Sequence, residues 1–273
     1  MRVRVSIDRP LGMDVMPELP EVEAAAKQLR NVLVGRTIVR ATVRHAAIRR
    51  SLSVARARKL AGRRVVAVER RGKHQVVRLD DGTSLLVHFR MTGDWTMSDI
   101  SAPVPRFARF SIDLDDGRAV HLDDPRALAV VSLHVGDPPL PPLGPEPDAK
   151  AFTADALGAA LQGRRIAIKP AMLDQRVVAG LGNIYAAEAL WHARLSPFLR
   201  ADSLTAAQRR ALVSAIRKTI AGAHRAPGRY SSGVGRGMNV YDREGERCTR
   251  CGATIDRTTQ SGRSTYWCAG CQV

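Results

Sequence analysis

An α+β fold with two unlike halves follows from three features of the chain. Short β-rich runs punctuated by Asp-Asp-Gly turns occupy residues 37–133, helical periodicity takes over beyond residue 151, and four cysteines in two Cys-x2-Cys pairs close the C-terminus. These features predict an N-terminal antiparallel β-sandwich or barrel led by one helix, a helical second domain, and a small metal-held hairpin at the end.

The 273 residues suffice for two domains, each with its own core. Lys and Arg number 43 against 26 Asp and Glu, a formal charge of +17, and the isoelectric point is about 11.0. The basic residues are spread over the whole chain, which implies a polyanionic partner and puts nucleic acid first. A membrane surface fits less well: no segment joins a basic face to a large apolar one, and no apolar run approaches the ~18 residues of a spanning helix. Residues 1–15 (MRVRVSIDRPLGMDV) hold charges throughout and lack the apolar centre of a secretion signal. A reducing, cytoplasmic setting follows, in which cysteines serve as metal ligands sooner than as disulfides.

Taken in order, residues 1–15 show no sustained periodicity and read as an extension or a mis-assigned start, with Met1, Met13 and Met16 all in frame. Next comes Met16-Pro17-Glu18-Leu19-Pro20-Glu21-Val22-Glu23. Pro20 suits the first helical position, the acids suit the positive end of the helix dipole, and Val22, Ala26, Leu29 and Leu33 recur at helical spacing until Gly35. Plain capping explains all of that. A chemical reading stands beside it. Were Pro17 the first residue, its amine would titrate near ~7.7–8.0, well below a lysine, and could attack an electrophilic carbon with the Glu18 carboxylate alongside.

Strands are predicted at 37–43, 65–69, 74–79, 84–89, 110–114, 119–122 and 129–133, with a short helix at 54–60 ended by Gly62. Asp80-Asp81-Gly82 and Asp115-Asp116-Gly117 are hairpin turns, because glycine takes positive φ at little cost. Arg70-Arg71-Gly72-Lys73-His74 is a cationic turn, usually a solvated loop. Met91 at a strand end is by default a core residue, and Arg126 in Asp124-Pro125-Arg126-Ala127-Leu128 a surface one. Residues 136–147 (GDPPLPPLGPEP) hold six prolines in twelve and suit a semi-rigid linker, so the domains are read as 16–135, a linker at 136–150, 151–238 and 239–273.

Helices are predicted at 153–161, 170–178, 183–192 and 205–224. Thr205 and Gln208 have capping-box spacing, with Leu212, Ile216 and Ile220 as an apolar stripe behind them. The Gly180-Leu181-Gly182-Asn183 turn puts bare backbone N–H groups at a helix start, which suits an anion, although an ordinary helical hairpin capped by Asn183 fits as well. Cys248-x2-Cys251-x16-Cys268-x2-Cys271 has the spacing of a four-cysteine zinc site and uses every cysteine in the chain. Four protein ligands leave no open position, so one structural zinc is expected, stapling a hairpin whose tip is Gly262-Arg263-Ser264-Thr265-Tyr266-Trp267.

The octet, residues 174–188 (DQRVVAGLGNIYAAE) and the cysteine ribbon together resemble, from Met16 to Gln272, the formamidopyrimidine-DNA glycosylase / endonuclease VIII family. The resemblance implies an N-terminal β-sandwich, a helix-two-turn-helix DNA-binding domain and a zinc finger. The implied activity is that of a bifunctional DNA glycosylase with AP lyase activity, acting as a monomer on damaged double-stranded DNA. By the same resemblance Pro17 is the nucleophile, Glu18 the acid and base, and Lys73 and Arg263 lie at the reacting sugar and its phosphates. Asn183 and Lys169 bind backbone phosphate, Arg109 and Tyr185 belong to the DNA-binding set, and Met91 with Arg126 fills the gap left by the extruded nucleotide. Leu128 replaces an expected phenylalanine, Ala127 an arginine and Arg90 a glycine, and the segment 223–239 is short. One alternative is a catalytically silent DNA-binding protein on the same scaffold, which retained residues 1–15 would produce by blocking the amine. A zinc-ribbon transcription factor is another, but a ribbon alone does not require the octet.

Overall fold

A computed structural model describes residues 16–225 and 237–273. The extension at 1–15 and most of the short 223–239 segment therefore lie outside the described residues. The chain divides into two compact bodies between Leu140 and Pro141, inside the proline run, with the short stretch Glu18–Pro20 counted with the second.

The first body begins with α1 (Leu19–Leu33), one residue earlier than the Pro20 signal implies, and stacks two four-stranded antiparallel sheets. One has the order β1 (Ile38–Val43), β6 (Ala108–Leu114), β7 (Arg118–Asp123), β5 (Asp94–Asp99). The other has β2 (Val65–Arg71), β3 (His74–Leu79), β4 (Thr83–His88), β8 (Val130–Val135). Alternate residues of each sheet, such as Val77, Leu85 and Val131 on one and Phe110, Val120 and Leu122 on the other, meet in a shared core that Val22, Leu29 and Leu33 of α1 complete. The antiparallel sandwich is thus the predicted one. Strand β5 escaped prediction because Asp-Trp-Thr-Met-Ser-Asp is polar at both ends; pairing with β7 and burial of Trp95 stabilise it. Two short helices, α2 (Ala46–Arg49) and α3 (Val54–Arg58), follow β1, capped by His45 Nδ1 and Ser53 Oγ.

The second body holds α4 (Ala154–Leu161), α5 (Ile168–Leu173), α6 (Asn183–Ala193) and α7 (Ala206–Arg225), then the hairpin β9 (Ile255–Gln260) and β10 (Arg263–Cys268). Helix α5 stops five residues before the predicted 178, because the Asp174 carboxylate accepts Arg176 N at 2.9 Å and pairs with Arg164 and Arg176, closing a turn instead of another helical step. Helix α7 carries the expected capping box: Gln208 N donates to Thr205 Oγ1 at 3.2 Å and Thr205 N to Gln208 Oε1 at 2.9 Å. Helix α6 is enclosed on every side, with Ile184 to Trp191 all buried, so it is the axis of this body. The hairpin tip is narrower than predicted. Ser261 (φ +49) and Gly262 (φ +73) alone make the turn, and Arg263 begins the outgoing strand, exposed and paired with Gln260. None of the described helices is long and apolar enough to cross a membrane.

Candidate active site

The start of α6 is where the N-terminal octet finds its partner. The Glu18 carboxylate, 2 % exposed, accepts Ile184 N at 2.9 Å and Tyr185 N at 3.4 Å. The Gly-x-Gly-Asn turn therefore receives an anion, as its spacing implies, and the anion belongs to the protein itself. Orphan amides at a helix start and the dipole behind them favour negative charge there. Both glycines are needed for the approach. A side chain on Gly182 would overlap the Glu18 carboxyl, and one on Gly180 (φ +83) would stand 2.5 Å from Leu19 Cδ1, whose backbone N donates to Gly180 O at 3.1 Å. Gly182→Ala is accordingly expected to displace Glu18 and lower the single-turnover rate of any chemistry that carboxylate performs about 100-fold, while the melting temperature moves by only a few degrees.

Below that turn, Lys169 and Asn183 tie the helical domain to the ribbon. Lys169 is 1 % exposed, and its ammonium donates to Asn183 Oδ1 (2.6 Å), Ser264 O (2.9 Å) and Thr265 Oγ1 (2.9 Å). Burial lowers its pKa to about 8, with the Glu18 carboxylate acting the other way and Arg263 adding to the fall. All three ammonium protons are taken up by protein acceptors, so Lys169 holds Asn183 and the hairpin in place instead of facing solvent. The half-exposed Asn183 donates to Ser264 O at 3.0 Å and hydrogen-bonds the Tyr241 hydroxyl. Tyr185 is fully buried, and its backbone N–H reaches Glu18.

Two residues that sequence reasoning passed over complete this cluster. Glu188, 3 % exposed on the otherwise apolar face of α6, accepts Asn239 N and Nδ2, Val240 N and Tyr241 N at 2.7–3.0 Å. It thereby fixes Tyr241, whose hydroxyl burial pushes up to about 12, a donor at any physiological pH. A lone acid inside Ile-Tyr-Ala-Ala-Glu-Ala-Leu-Trp was the available signal, since an unpaired carboxylate would not be tolerated there.

In the first body, Lys73 stands in the two-residue turn joining β2 and β3, is 8 % exposed, and lies 3.9 Å from the sulfur of Met16, the residue ahead of Pro17. Pro17 itself is buried. Arg70 is engaged with Glu23 at 2.5 Å, so the cationic turn is partly structural. His74 and His88 face each other across β3 and β4 with rings 4.7 Å apart. Burial first, then His74, Arg90 and Lys73, depress His88 to about 3; burial likewise lowers His74. A histidine kept neutral in the fold and free to charge when unfolded contributes stability that is fully present above pH ~6.5 and is lost as the pH falls towards 3. Between pH 7 and 4 the wild type is expected to lose on the order of 2–3 kcal/mol more than His88→Gln, read by urea denaturation at the two pH values.

Met91 and Arg126 sit on two neighbouring loops of that body, Met91 half-buried and Arg126 exposed, with Leu128 (43 % exposed) beyond them. Arg109 is half-buried, and its guanidinium donates to Asp124 O at 2.6 Å and Pro125 O at 3.0 Å.

At the ribbon, the four cysteine sulfurs lie within 4.8 Å of one another, with Cys248 to Cys271 at 3.9 Å and Cys251 to Cys268 at 3.3 Å. Zinc bonded at ~2.3 Å in a tetrahedron separates its sulfurs by about 3.8 Å, so the donors fit that metal. Trp191 Nε1 donates to Cys248 Sγ at 3.4 Å, and Arg250 stacks 3.7 Å above the Trp191 ring, tying the cluster to α6.

Family models match in three consecutive stretches: the formamidopyrimidine-DNA glycosylase N-terminal domain at residues 16–131, its H2TH domain at 143–232, and the zinc finger found in FPG and IleRS at 245–273. The formamidopyrimidine-DNA glycosylase of Chloroflexus aurantiacus is 40 % identical over 94 % of this chain and 98 % of its own length, and that of Paracoccus denitrificans is 40 % identical over 94 % and 100 %. This chain belongs to the formamidopyrimidine-DNA glycosylase family. Among solved structures of the family, MutM in complex with carbocyclic 8-oxo-G containing DNA superposes with a TM-score of 0.86 at 30 % identity, covering 94 % of this chain and 99 % of that one. The Lactococcus lactis glycosylase bound to abasic-site DNA gives 0.86 at 29 %, covering 93 % and 99 %. Matching to the family starts at Met16, immediately ahead of the proline that the octet singled out.

Proposed function

We propose that this chain is a base-excision repair glycosylase with AP lyase activity, whose nucleophile is the amine of Pro17 in a form that begins at that residue. One observation supports this above the rest: the octet's Glu18 is pinned by two backbone amides, so the carboxylate next to Pro17 has a fixed place. In this mechanism Pro17 N bonds to C1′ of the flipped nucleotide as the glycosidic bond breaks, the base departs with the bonding electron pair, and the proton lost from the amine passes to the base. The freed nitrogen lone pair then expels O4′ from C1′ to give an iminium while Glu18 delivers a proton to O4′ of the opening sugar ring. The iminium acidifies C2′–H; loss of that proton expels the 3′ phosphate, and a second elimination releases the 5′ phosphate. Lys73 and the exposed Arg263 steady those phosphates. Asn183 exchanges one of its protein contacts for backbone phosphate, and Lys169 holds it ready. Met91, Arg126 and Leu128 occupy the vacated position in the duplex, which offsets part of the cost of extrusion.

One zinc held by Cys248, Cys251, Cys268 and Cys271 would supply folding free energy to the ribbon and no chemistry. The substrate is double-stranded DNA with an oxidised or ring-opened base, met by a monomer in the cytoplasm alongside the chromosome. Borohydride added during turnover is expected to trap a covalent protein–DNA adduct that Pro17→Gly no longer forms. A catalytically silent DNA binder would bind the same duplex and trap nothing.

A further inference from the structure

The two loops bearing Met91, Arg126 and Leu128 share one buried carboxylate. Asp124 is 0 % exposed; its Oδ1 accepts the Thr92 hydroxyl, and its Oδ2 accepts Leu128 N at 2.6 Å and Ala129 N at 2.7 Å. The same Thr92 hydroxyl accepts Arg126 N at 3.4 Å, and Ala127 N closes onto Asp124 O at 3.1 Å. From the opposite side Arg109 clasps the carbonyls of Asp124 and Pro125. Each of the three residues is therefore bonded to this node directly or is the chain neighbour of one that is.

Both loops also contain a strained residue beside the side chain they present. Arg90 (φ +57) precedes Met91 and Ala127 (φ +54) separates Arg126 from Leu128; neither is glycine. Left-handed residues of this kind persist only where the surroundings over-determine them. His88 Nδ1 accepts Arg90 N at 2.9 Å, Gly93 N closes the turn onto Phe89 O at 3.1 Å, and a Cβ on Gly93 would stand 2.8 Å from that oxygen. Closing one surface loop needs one or two hydrogen bonds. A dehydrated carboxylate that joins two loops does more than close either.

We propose that Asp124 is the positioning residue of a preassembled wedge: through Thr92 and the 126–129 backbone it presents Met91, Arg126 and Leu128 to the duplex as one rigid unit, with Arg109 locking the loop from behind. This rests on the reading of the chain as a nucleotide-flipping glycosylase. Rigidity matters because a wedge that must first be ordered adds that entropy to the cost of extruding a base.

The test compares wild type, Asp124→Asn and Thr92→Val on two substrates. One is a duplex with a single oxidised base and 2-aminopurine opposite it, followed for fluorescence and for single-turnover excision. The other is a single-stranded abasic oligonucleotide, on which borohydride trapping needs no extrusion. Asp124→Asn, which sets an amide donor against donors, is expected to slow the fluorescence change and excision at least ~30-fold, and Thr92→Val about 5-fold, with trapping on the abasic strand within about 3-fold of wild type. Excision at wild-type rate by both variants overturns the proposal, and so does an equal loss on both substrates, which would mean a general structural role. A wild-type protein inert on both substrates would overturn the glycosylase reading as well, a result distinct from either.

Discussion

Glu18→Gln is expected to remove base excision almost entirely while leaving the fold in place. The glutamine carbonyl can still accept Ile184 N, so the helix start keeps its main partner, but the side chain next to Pro17 then lacks the carboxyl to which the proposed mechanism gives the proton transfer. General acid–base catalysis is typically worth ~10²–10⁴-fold, and single-turnover excision on an oxidised duplex should fall within that range. Binding to the same duplex, measured by fluorescence anisotropy, should change less than about 3-fold, because the carboxylate is buried against the start of α6 and, being anionic, offers nothing to a phosphate. A comparable loss in binding and excision would instead make Glu18 a purely structural cap.

Removing the metal should have the largest effect on stability. Cys268 is fully buried, and the hairpin it anchors has few other core residues: Val240, Ile255 and Tyr266 against Ala187 and Trp191 of α6. Structural zinc contributes ~10–16 kcal/mol of apparent binding free energy in small zinc-finger peptides, far more than so small a cluster can supply. Cys268→Ser, or a strong chelator, is therefore expected to melt the hairpin, seen as lost zinc by elemental analysis and as a low-temperature unfolding transition. DNA affinity should drop at least ~30-fold with it, since Ser264 O and Thr265 Oγ1 anchor Lys169 and Asn183, and Arg263 rides on the same strand. Retention of full affinity by the metal-free protein would show that the ribbon takes no part in gripping the strand.

Local signals were readable from the chain, and non-local ones were not. The cysteine spacing, the Asp-Asp-Gly turns, the proline run and the Thr205/Gln208 box all announce themselves within a few residues, and the sandwich with α4, α6 and α7 stands where those signals put it, whereas α5 ends early at the Asp174 turn. Glu18 meets Ile184 across 166 positions, and nothing in the octet reveals that its acid fills the turn at Gly182. A resemblance names Lys169 and Tyr185 as residues near DNA; only the fold shows the first surrounded by acceptors and the second turned inward. The clasp that Arg109 makes on the 124–125 carbonyls and the node at Asp124 are equally silent in sequence, because both lie in backbone carbonyls and amides of a loop that either side chain could have ignored. Strand β5 was hidden for a related reason: its partner, not its composition, makes it a strand.

The most direct test of the central claim is to trap wild-type protein on an oxidised duplex with borohydride, digest the adduct and locate the DNA remnant by mass spectrometry. The expected result is a peptide that begins at Pro17 with the sugar remnant on its imino nitrogen. A remnant on Lys73 or any other lysine, or an active protein whose Pro17 is still preceded by Met16, would contradict it.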